Sequence, residues 1–177
     1  HFASEMTYDF YYNTFGRNSI DDNGLLLVDY VHYDTNLDNA FWDGQAMNYG
    51  DGSTTYGTTP YTTLDVGGHE ITHGLTQYTA NLNYQAESGA LNESFSDCMG
   101  TAIRQYVYQA DTIDYFITNL PKWMEEKDVL PSKMQAPARV YTQKIPLGVC
   151  LIISPWNYPI ELTIAPVLGA ISAGNTA

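Results

Sequence analysis

The stretch His69-Glu70-Ile71-Thr72-His73 decides how this chain folds and what it could do. A helix turns once every 3.6 residues, so the two histidines lie one turn apart on the same face. Two imidazoles at this spacing can bind one zinc ion, and Glu70 between them is a candidate general base. The stretch therefore predicts a helix that carries part of a zinc site.

Glu93 is the predicted third ligand, and it lies in the segment SGALNESFSD, residues 88–97. The segment has the pattern of a second helix, which could supply a carboxylate oxygen to the ion. Two His and one Glu leave the fourth position of a tetrahedral zinc open, as in catalytic rather than structural sites. The alternative is a chance pair of partly exposed histidines around a surface glutamate, which the downstream Glu-x-x-x-Asp pattern disfavours.

These motifs resemble a known family. The segment DVGGHEITHGLTQYTANLNYQAESGALNESFSD, residues 65–97, is similar to the zinc-binding core of the thermolysin family of metallopeptidases. Upstream, DNAFWDGQAMNYGDG (38–52) resembles the family's substrate-binding edge strand and the following loop, and YDFYYNTFGRNS (8–19) the helix before them. The resemblance covers residues 1–108 and implies a zinc endopeptidase that acts on peptide or protein substrates.

The resemblance also implies roles for residues around the ion. Asp97 would accept a hydrogen bond from His69 and fix its tautomer. Tyr84 would donate to the oxyanion. Asn39 and the Ala40 backbone would bind substrate main chain by strand addition. The alternatives are an ordinary exposed acid for Asp97, and for Tyr84 a core or surface residue among fifteen tyrosines.

Two departures from the family pattern weaken the expected activity. The second histidine that stabilises the oxyanion lies further downstream in the family, and nothing after His73 can replace it. Asp65 matches a calcium ligand of the family, but Arg104 stands where a partner carboxylate is often found. We therefore expect zinc as the cofactor, weak or no calcium binding, and impaired catalysis in a truncated module.

Composition divides the chain into two segments, 1–108 and 109–177. The first carries 14 acidic and 2 basic residues, a net of −12, whereas the second carries 6 and 5, a net of −1. Twelve of the fifteen tyrosines lie in the first segment and seven of the eight prolines in the second. The acidity argues against a nucleic-acid partner. No apolar run approaches the 18 residues or so of a membrane span.

The second segment resembles the start of the nucleotide-binding domain of the aldehyde dehydrogenase superfamily. The likeness rests on KIPLGVCLIISPWNYP (144–159) and APVLGAISAGNTA (165–177). It implies that Asn157 corresponds to the asparagine that holds the oxyanion of a thiohemiacetal. The catalytic cysteine and the glutamate base are absent, and Cys150 is not at the nucleophile's position. We therefore expect no binding of a nicotinamide cofactor, and a turn-forming role for Asn157.

The predicted fold class is α+β, with thermolysin-like strands followed by zinc-site helices and then a partial α/β, Rossmann-like strand-turn-helix fragment. The predicted strands lie at 25–33, at 39–49 as a pair around a turn, and at 145–154 as a buried parallel strand. The predicted helices lie at 4–15, 66–80, 90–108, 112–130 with an interruption at Pro121, and 160–174.

Three functions remain open from the sequence: a zinc endopeptidase module, an oxidoreductase fragment, and a non-catalytic metal-binding chimera. The first implies secretion, and the second segment a cytoplasmic origin. The two cysteines, Cys98 and Cys150, are predicted to be small buried apolar residues. Surfaces exposed by truncation of either segment predict self-association.

Overall fold

The computed structural model describes residues 1–134, 136–156 and 160–177. They form two compact units, 1–107 and 108–177. The helices are α1 (Phe2–Phe15), α2 (Leu64–Tyr78), α3 (Ala86–Met124) and α4 (Glu161–Ser172). The strands are β1 (Asp29–Val31), β2 (Ala40–Trp42), β3 (Met47–Tyr49), β4 (Lys127–Val129) and β5 (Val140–Thr142).

The first unit contains a three-stranded sheet in the order β1-β3-β2. β3 pairs in parallel with β1 and antiparallel with β2. The predicted pair of short strands around Asp43 is confirmed, and the Asp43 carboxylate accepts the N–H groups of Gln45 and Ala46 at the turn. The strand predicted over 25–33 is wrong in length, because only Asp29–Val31 pair with the three residues of β3.

Helix α1 ends at Gly16, as its sequence predicts. Gly16 has φ 68°, the left-handed conformation that glycine adopts without strain, and its N–H donates to the Tyr12 carbonyl. The Tyr11 hydroxyl forms a buried 2.8 Å hydrogen bond with the Thr72 hydroxyl. Burial raises the pKa of Tyr11 to about 12. This bond fixes α1 against the middle of α2.

The core of the first unit lies between the sheet, α1 and α2. Ile71 and Leu75 extend the buried face of α2, and Ile103 closes the core from α3. Buried apolar side chains of this kind contribute roughly 1.5–3 kcal/mol each. The core consists of Phe10, Tyr11, Ile20, Ala40, Met47, Tyr49, Ile71, Leu75 and Ile103.

Two glycines set the separation of α2 and the first part of α3. A Cβ on Gly100 would lie 2.5 Å from the Asp65 carbonyl oxygen, and one on Gly68 would lie 2.9 Å from Ile103 Cδ1. No side chain fits at Gly100 without moving backbone. The close approach brings the α3 turn that carries Glu93 against the α2 turn that carries His69.

Helix α3 is longer than predicted. The sequence predicts an end near Tyr108 and an interruption at Pro121, whereas the structure forms one helix of 39 residues with Pro121 inside it. Pro121 lies three residues before the last helical residue, Met124.

The second unit contains the antiparallel β4–β5 pair and α4. The buried parallel strand predicted over 145–154 is not formed. The described residues of that stretch contain one isolated bridge, Val149 with Thr176, and Leu151 is 85 % exposed. A buried parallel strand lies between neighbouring strands of its sheet, and no described strand pairs with this stretch. The Rossmann-like prediction is therefore not confirmed.

The predicted burial of the cysteines is wrong for Cys98, which is exposed on α3, and holds only in part for Cys150, which is half-buried. Among the described residues, no helix combines the length and apolarity that spanning a bilayer requires.

Candidate metal centre

Three side chains of the first unit converge at one point. His69 and His73 project from α2 and Glu93 from α3, and one ligand atom of each lies within 4.8 Å of the other two. The two Nε2 atoms are 2.9 Å apart. The Glu93 carboxylate lies 3.3 Å from His69 Nε2 and 3.5 Å from His73 Nε2. Both imidazoles are largely buried, whereas Glu93 is 41 % exposed.

The hydrogen bonds around the imidazoles fix which nitrogen carries the proton. His69 Nδ1 lies 2.9 Å from the Asp97 carboxylate, which can only accept. His73 Nδ1 lies 2.8 Å from Asn92 Oδ1, and the Asn92 amide nitrogen donates to the Leu82 carbonyl, which sets its orientation. Each Nδ1 therefore donates, so in the neutral imidazoles it is Nε2 whose lone pair points to the centre.

Such a donor set fits a divalent cation. In the neutral form of both imidazoles, two lone pairs converge with the Glu93 carboxylate, and a cation bound by all three would relieve their repulsion. Neutral imidazoles and a carboxylate are ligands that zinc prefers. Zinc bond lengths of about 2.1 Å in a tetrahedron place ligand atoms about 3.4 Å apart. Each Glu93 oxygen lies at about that separation from one imidazole nitrogen, whereas the two Nε2 atoms, 2.9 Å apart, would have to separate slightly.

Glu70 lies beside this centre and is 7 % exposed. The backbone N–H of Trp42 donates to one of its carboxylate oxygens, Oε2, over 3.1 Å. Burial raises the pKa of Glu70 above its ordinary value, and the Trp42 hydrogen bond and any positive charge on His69 and His73 only partly offset this. A carboxylate with a raised pKa is a stronger base than an ordinary surface glutamate.

A cleft of about 580 Å³ opens in front of the centre. Its walls come from β2 on one side and from the α2 and α3 turns on the other, and Asn39, Ala40, Glu70 and Tyr84 line it. A second recess of about 470 Å³ also includes Asn39, Ala40 and Glu70 in its lining. The centre is therefore accessible to an extended ligand from two directions.

Strand β2 is the edge of its sheet and presents free backbone groups to this cleft. The Asn39 carbonyl accepts from Gly50 and the Asp43 N–H donates to Ala46, so both face β3. Backbone direction alternates along a strand, so Ala40 and Trp42 face outward. The N–H of Trp42 is the one that reaches Glu70.

The remaining predicted site residues are placed as follows. Tyr84 is 65 % exposed, and its ring lies edge-on to His73 with 6.1 Å between centroids. Asp65 forms a 2.8 Å ion pair with Arg104. Although partial burial raises the pKa of Asp65, the Thr63 hydrogen bond and the Arg104 charge together lower it below the ordinary value. Asn157 lies outside the described residues.

Sequence reasoning missed several supporting contacts of the centre. Asn92 and Ser96 both reach His73 Nδ1, at 2.8 and 3.1 Å. Gln77, one turn after His73, accepts from the Trp42 indole N–H at 2.8 Å and donates to the Gly44 carbonyl. Gln77 follows His73 by four residues and therefore lies on the same face of α2, so its sequence position could have predicted that it lines the cleft.

A buried glutamate beside two histidines and a second glutamate, in a cleft with an edge strand, is the arrangement expected of a zinc hydrolase. Comparison with known proteins identifies two families that the chain resembles. Residues 1–77 match the family profile "Thermolysin metallopeptidase, catalytic domain", and residues 90–177 match "Aldehyde dehydrogenase family". The chain thus joins a thermolysin-like segment to an aldehyde dehydrogenase-like segment, and both predicted resemblances are confirmed.

Individual relatives extend the first likeness. The chain is 50 % identical over 106 residues to a bacillolysin of Bacillus cereus, which covers 60 % of this chain and 19 % of the relative. It is 48 % identical over 101 residues to an extracellular metalloprotease of Pectobacterium carotovorum, covering 57 % of this chain and 29 % of the relative. The matched part therefore makes up less than a third of these proteins.

A solved structure is also similar. The precursor of protealysin, a metalloproteinase from Serratia proteamaculans, matches with a TM-score of 0.57 and 30 % identity, over 97 % of this chain and 55 % of that one. This likeness supports the mixed α+β fold of the chain.

The comparisons place the end of the thermolysin-like segment at different residues. The dehydrogenase profile begins at residue 90 and takes in Glu93. A 106-residue alignment within 177 residues must include residues 72–106, so the bacillolysin likeness also takes in Glu93. The compact unit 1–107 places Glu93 with the histidines, and we assign it to the protease-like part on that physical ground.

Proposed function

We propose that residues 1–107 form a zinc-dependent endopeptidase module that hydrolyses peptide bonds slowly. The observation that carries the proposal is the convergence of two imidazole nitrogens and a carboxylate oxygen beside a buried glutamate. His69, His73 and Glu93 would hold the ion, and Asp97 and Asn92 would orient the imidazoles. When bound, zinc acidifies a water molecule and polarises a carbonyl group.

Glu70 would act as the general base. The Trp42 N–H engages its Oε2, which leaves Oε1 as the oxygen that takes the proton from the attacking water. The same oxygen would then return that proton to the leaving amine. The raised pKa of Glu70 suits both transfers, because a catalytic group works best with a pKa near the working pH.

The outer edge of β2 would bind the substrate. Ala40 offers one outward-facing N–H and one outward-facing carbonyl, which a peptide in extended conformation can pair with. Asn39 lies next to it in the lining of the cleft. Tyr84, in the opposite wall beside His73, would donate its hydroxyl proton to the developing oxyanion.

We propose slow turnover for these 177 residues on their own. Residues 74–177 contain no histidine, so they do not supply the second oxyanion donor that the family resemblance implies. Removal of one such donor typically lowers the rate by about 10²–10³-fold. We also propose that Asp65 binds no calcium, because the Arg104 guanidinium already supplies the positive charge beside its Oδ2.

Secretion and peptide substrates follow as proposals from the relatives, one of which is named an extracellular metalloprotease. A cytoplasmic origin for the dehydrogenase-like segment, and the absence of nicotinamide and nucleic-acid binding, stay predictions.

Zinc reconstitution tests the proposed function. The full chain, stripped of metal by a chelator, is expected to cleave an internally quenched peptide only after one equivalent of zinc is added. Excess chelator should stop the reaction again. The protein is measured for bound zinc in parallel. One zinc per chain with no cleavage would reject the endopeptidase proposal and favour a non-catalytic metal-binding protein.

Asp97→Asn is expected to weaken zinc binding by about 10–100-fold, because a metal-bound histidine depends on its outer hydrogen-bond partner. Asn can still accept from His69 Nδ1 but brings no negative charge. The measurement is competition against a zinc-sensitive dye. Asp111→Asn, on an exposed part of α3, is the matched control and should leave the affinity unchanged. Equal affinities in both variants would remove Asp97 from the site.

A further inference from the structure

Trp42, the last residue of β2, contacts α2 at three positions. Its backbone N–H donates to Glu70 Oε2 over 3.1 Å, and its indole N–H donates to Gln77 Oε1 over 2.8 Å. Between these two contacts, a Cβ added to Gly74 would lie 3.2 Å from two indole carbons, so the ring packs directly on the helix backbone. Residues 70, 74 and 77 are spaced four and three apart and share one face of α2. The Trp42 side chain therefore extends along this face from Glu70 to Gln77.

The Gln77 amide makes two hydrogen bonds that fix its orientation. The Trp42 indole N–H can only donate, so it faces the amide oxygen. The Gly44 carbonyl can only accept, so it faces the amide nitrogen, at 3.3 Å. One side chain thus holds both the last residue of β2 and the turn that follows it. Gln77 is itself exposed, so a substitution there leaves no cavity in the core.

Trp42 is the hydrogen-bonded link between β2 and α2. Strand β2 is an edge strand, with β3 on one side only. Among the residues that the structure describes, both hydrogen bonds that join β2 to α2 come from Trp42, and they end on Glu70 and Gln77. Loss of the Gln77 bond leaves one hydrogen bond between the strand and the helix. The position of the Trp42 N–H beside Glu70 then depends on the packing of the ring against Gly74.

We propose that Gln77 is a positioning residue for Glu70 and acts through Trp42. The helix rise over seven residues separates Gln77 from Glu70 by about 10 Å along the axis, so Gln77 does not act on the carboxylate directly. By holding the indole, it keeps the Trp42 N–H on Oε2, and Oε1 stays free for the proton transfers. The inference rests on the proposed endopeptidase function, in which Glu70 is the general base.

Hydrogen exchange in the full chain, followed by NMR, tests this coupling without an activity assay. Gln77→Met keeps the side-chain length and the helix propensity but removes the amide. With zinc added, we expect the exchange rates of the Trp42 indole N–H and backbone N–H to rise several-fold in this variant. The Gly50 N–H, which donates to the Asn39 carbonyl just before β2, should keep its rate.

Gln143→Met is the matched control for the exchange experiment. Gln143 is an exposed glutamine of the second unit, and its substitution should leave all three rates unchanged. An unchanged rate at the Trp42 backbone N–H in Gln77→Met would overturn the proposal. An equal rise at Gly50 would also overturn it, because that result indicates a general loosening of the sheet.

A double-mutant cycle measures the consequence for catalysis. Gln77→Met is expected to lower kcat about 10-fold, within the roughly 10²-fold that a misplacement of about 1 Å can cost, with KM and zinc content nearly unchanged. Trp42→Phe removes the indole N–H and keeps the backbone N–H, so Gln77→Met should cause no further loss in that background. Additive losses, or an unchanged kcat in Gln77→Met, would overturn the proposal. If the original chain were inactive with zinc bound, the endopeptidase proposal would fail, and the exchange rates would still decide whether Gln77 holds Trp42 on Glu70.

Discussion

Glu70→Gln is expected to lower the rate of peptide hydrolysis by about 10²–10⁴-fold without changing the zinc content. Gln has nearly the same shape as Glu, and its side-chain oxygen can still accept the Trp42 N–H. It cannot take a proton from water. The measurement is the cleavage rate of a quenched peptide by zinc-loaded protein, together with zinc per chain.

Glu87→Gln is the matched control for this substitution. Glu87 is an exposed glutamate in the first turn of α3, outside the residues that line the cleft. It should leave both rate and zinc content unchanged. If Glu70→Gln retained the original rate with zinc bound, the general base would have to be another group. A rate that was never zinc-dependent would instead reject the site as a whole.

The centre could be predicted from sequence because its ligands follow local rules. Histidines four residues apart on a helix share a face whatever surrounds the helix, and the observed α2 lies within two residues of the predicted bounds. The distance between α2 and α3 depends on Gly68 and Gly100, whose role is visible only once the helices are packed. The same holds for Asn92, which meets His73 across that packed interface.

The second unit was harder to predict. Its sequence is typical of a strand between two other strands, and the described residues contain no strands that pair with it. The run IPLGVCLIIS has the apolar character of a strand covered on both faces. In the structure its odd-numbered side chains are exposed, because no strand of the described residues flanks them. Helix α4 likewise buries none of its residues. Sequence predicts the local preference for a strand or helix, whereas burial requires partners.

His69→Ala is expected to weaken zinc binding by more than about 100-fold, since changing only an outer-shell partner of such a ligand costs up to about that factor. The variant loses one nitrogen donor and the contact with Asp97. The effect can be read without any activity assay. Zinc at 100 times its dissociation constant should raise the free energy of unfolding of the original chain by about 2.7 kcal/mol. At the same zinc concentration the variant should gain almost nothing.

His32→Ala separates loss of the site from loss of a histidine in general. His32 is exposed and pairs with Asp51, and it is not part of the His69, His73 and Glu93 cluster. The control should bind one zinc per chain. Zinc should raise its free energy of unfolding by the same amount as for the original chain. If His69→Ala kept that gain as well, the ion would be held elsewhere. The 2.9 Å separation of the two Nε2 atoms would then indicate a proton shared between the two rings.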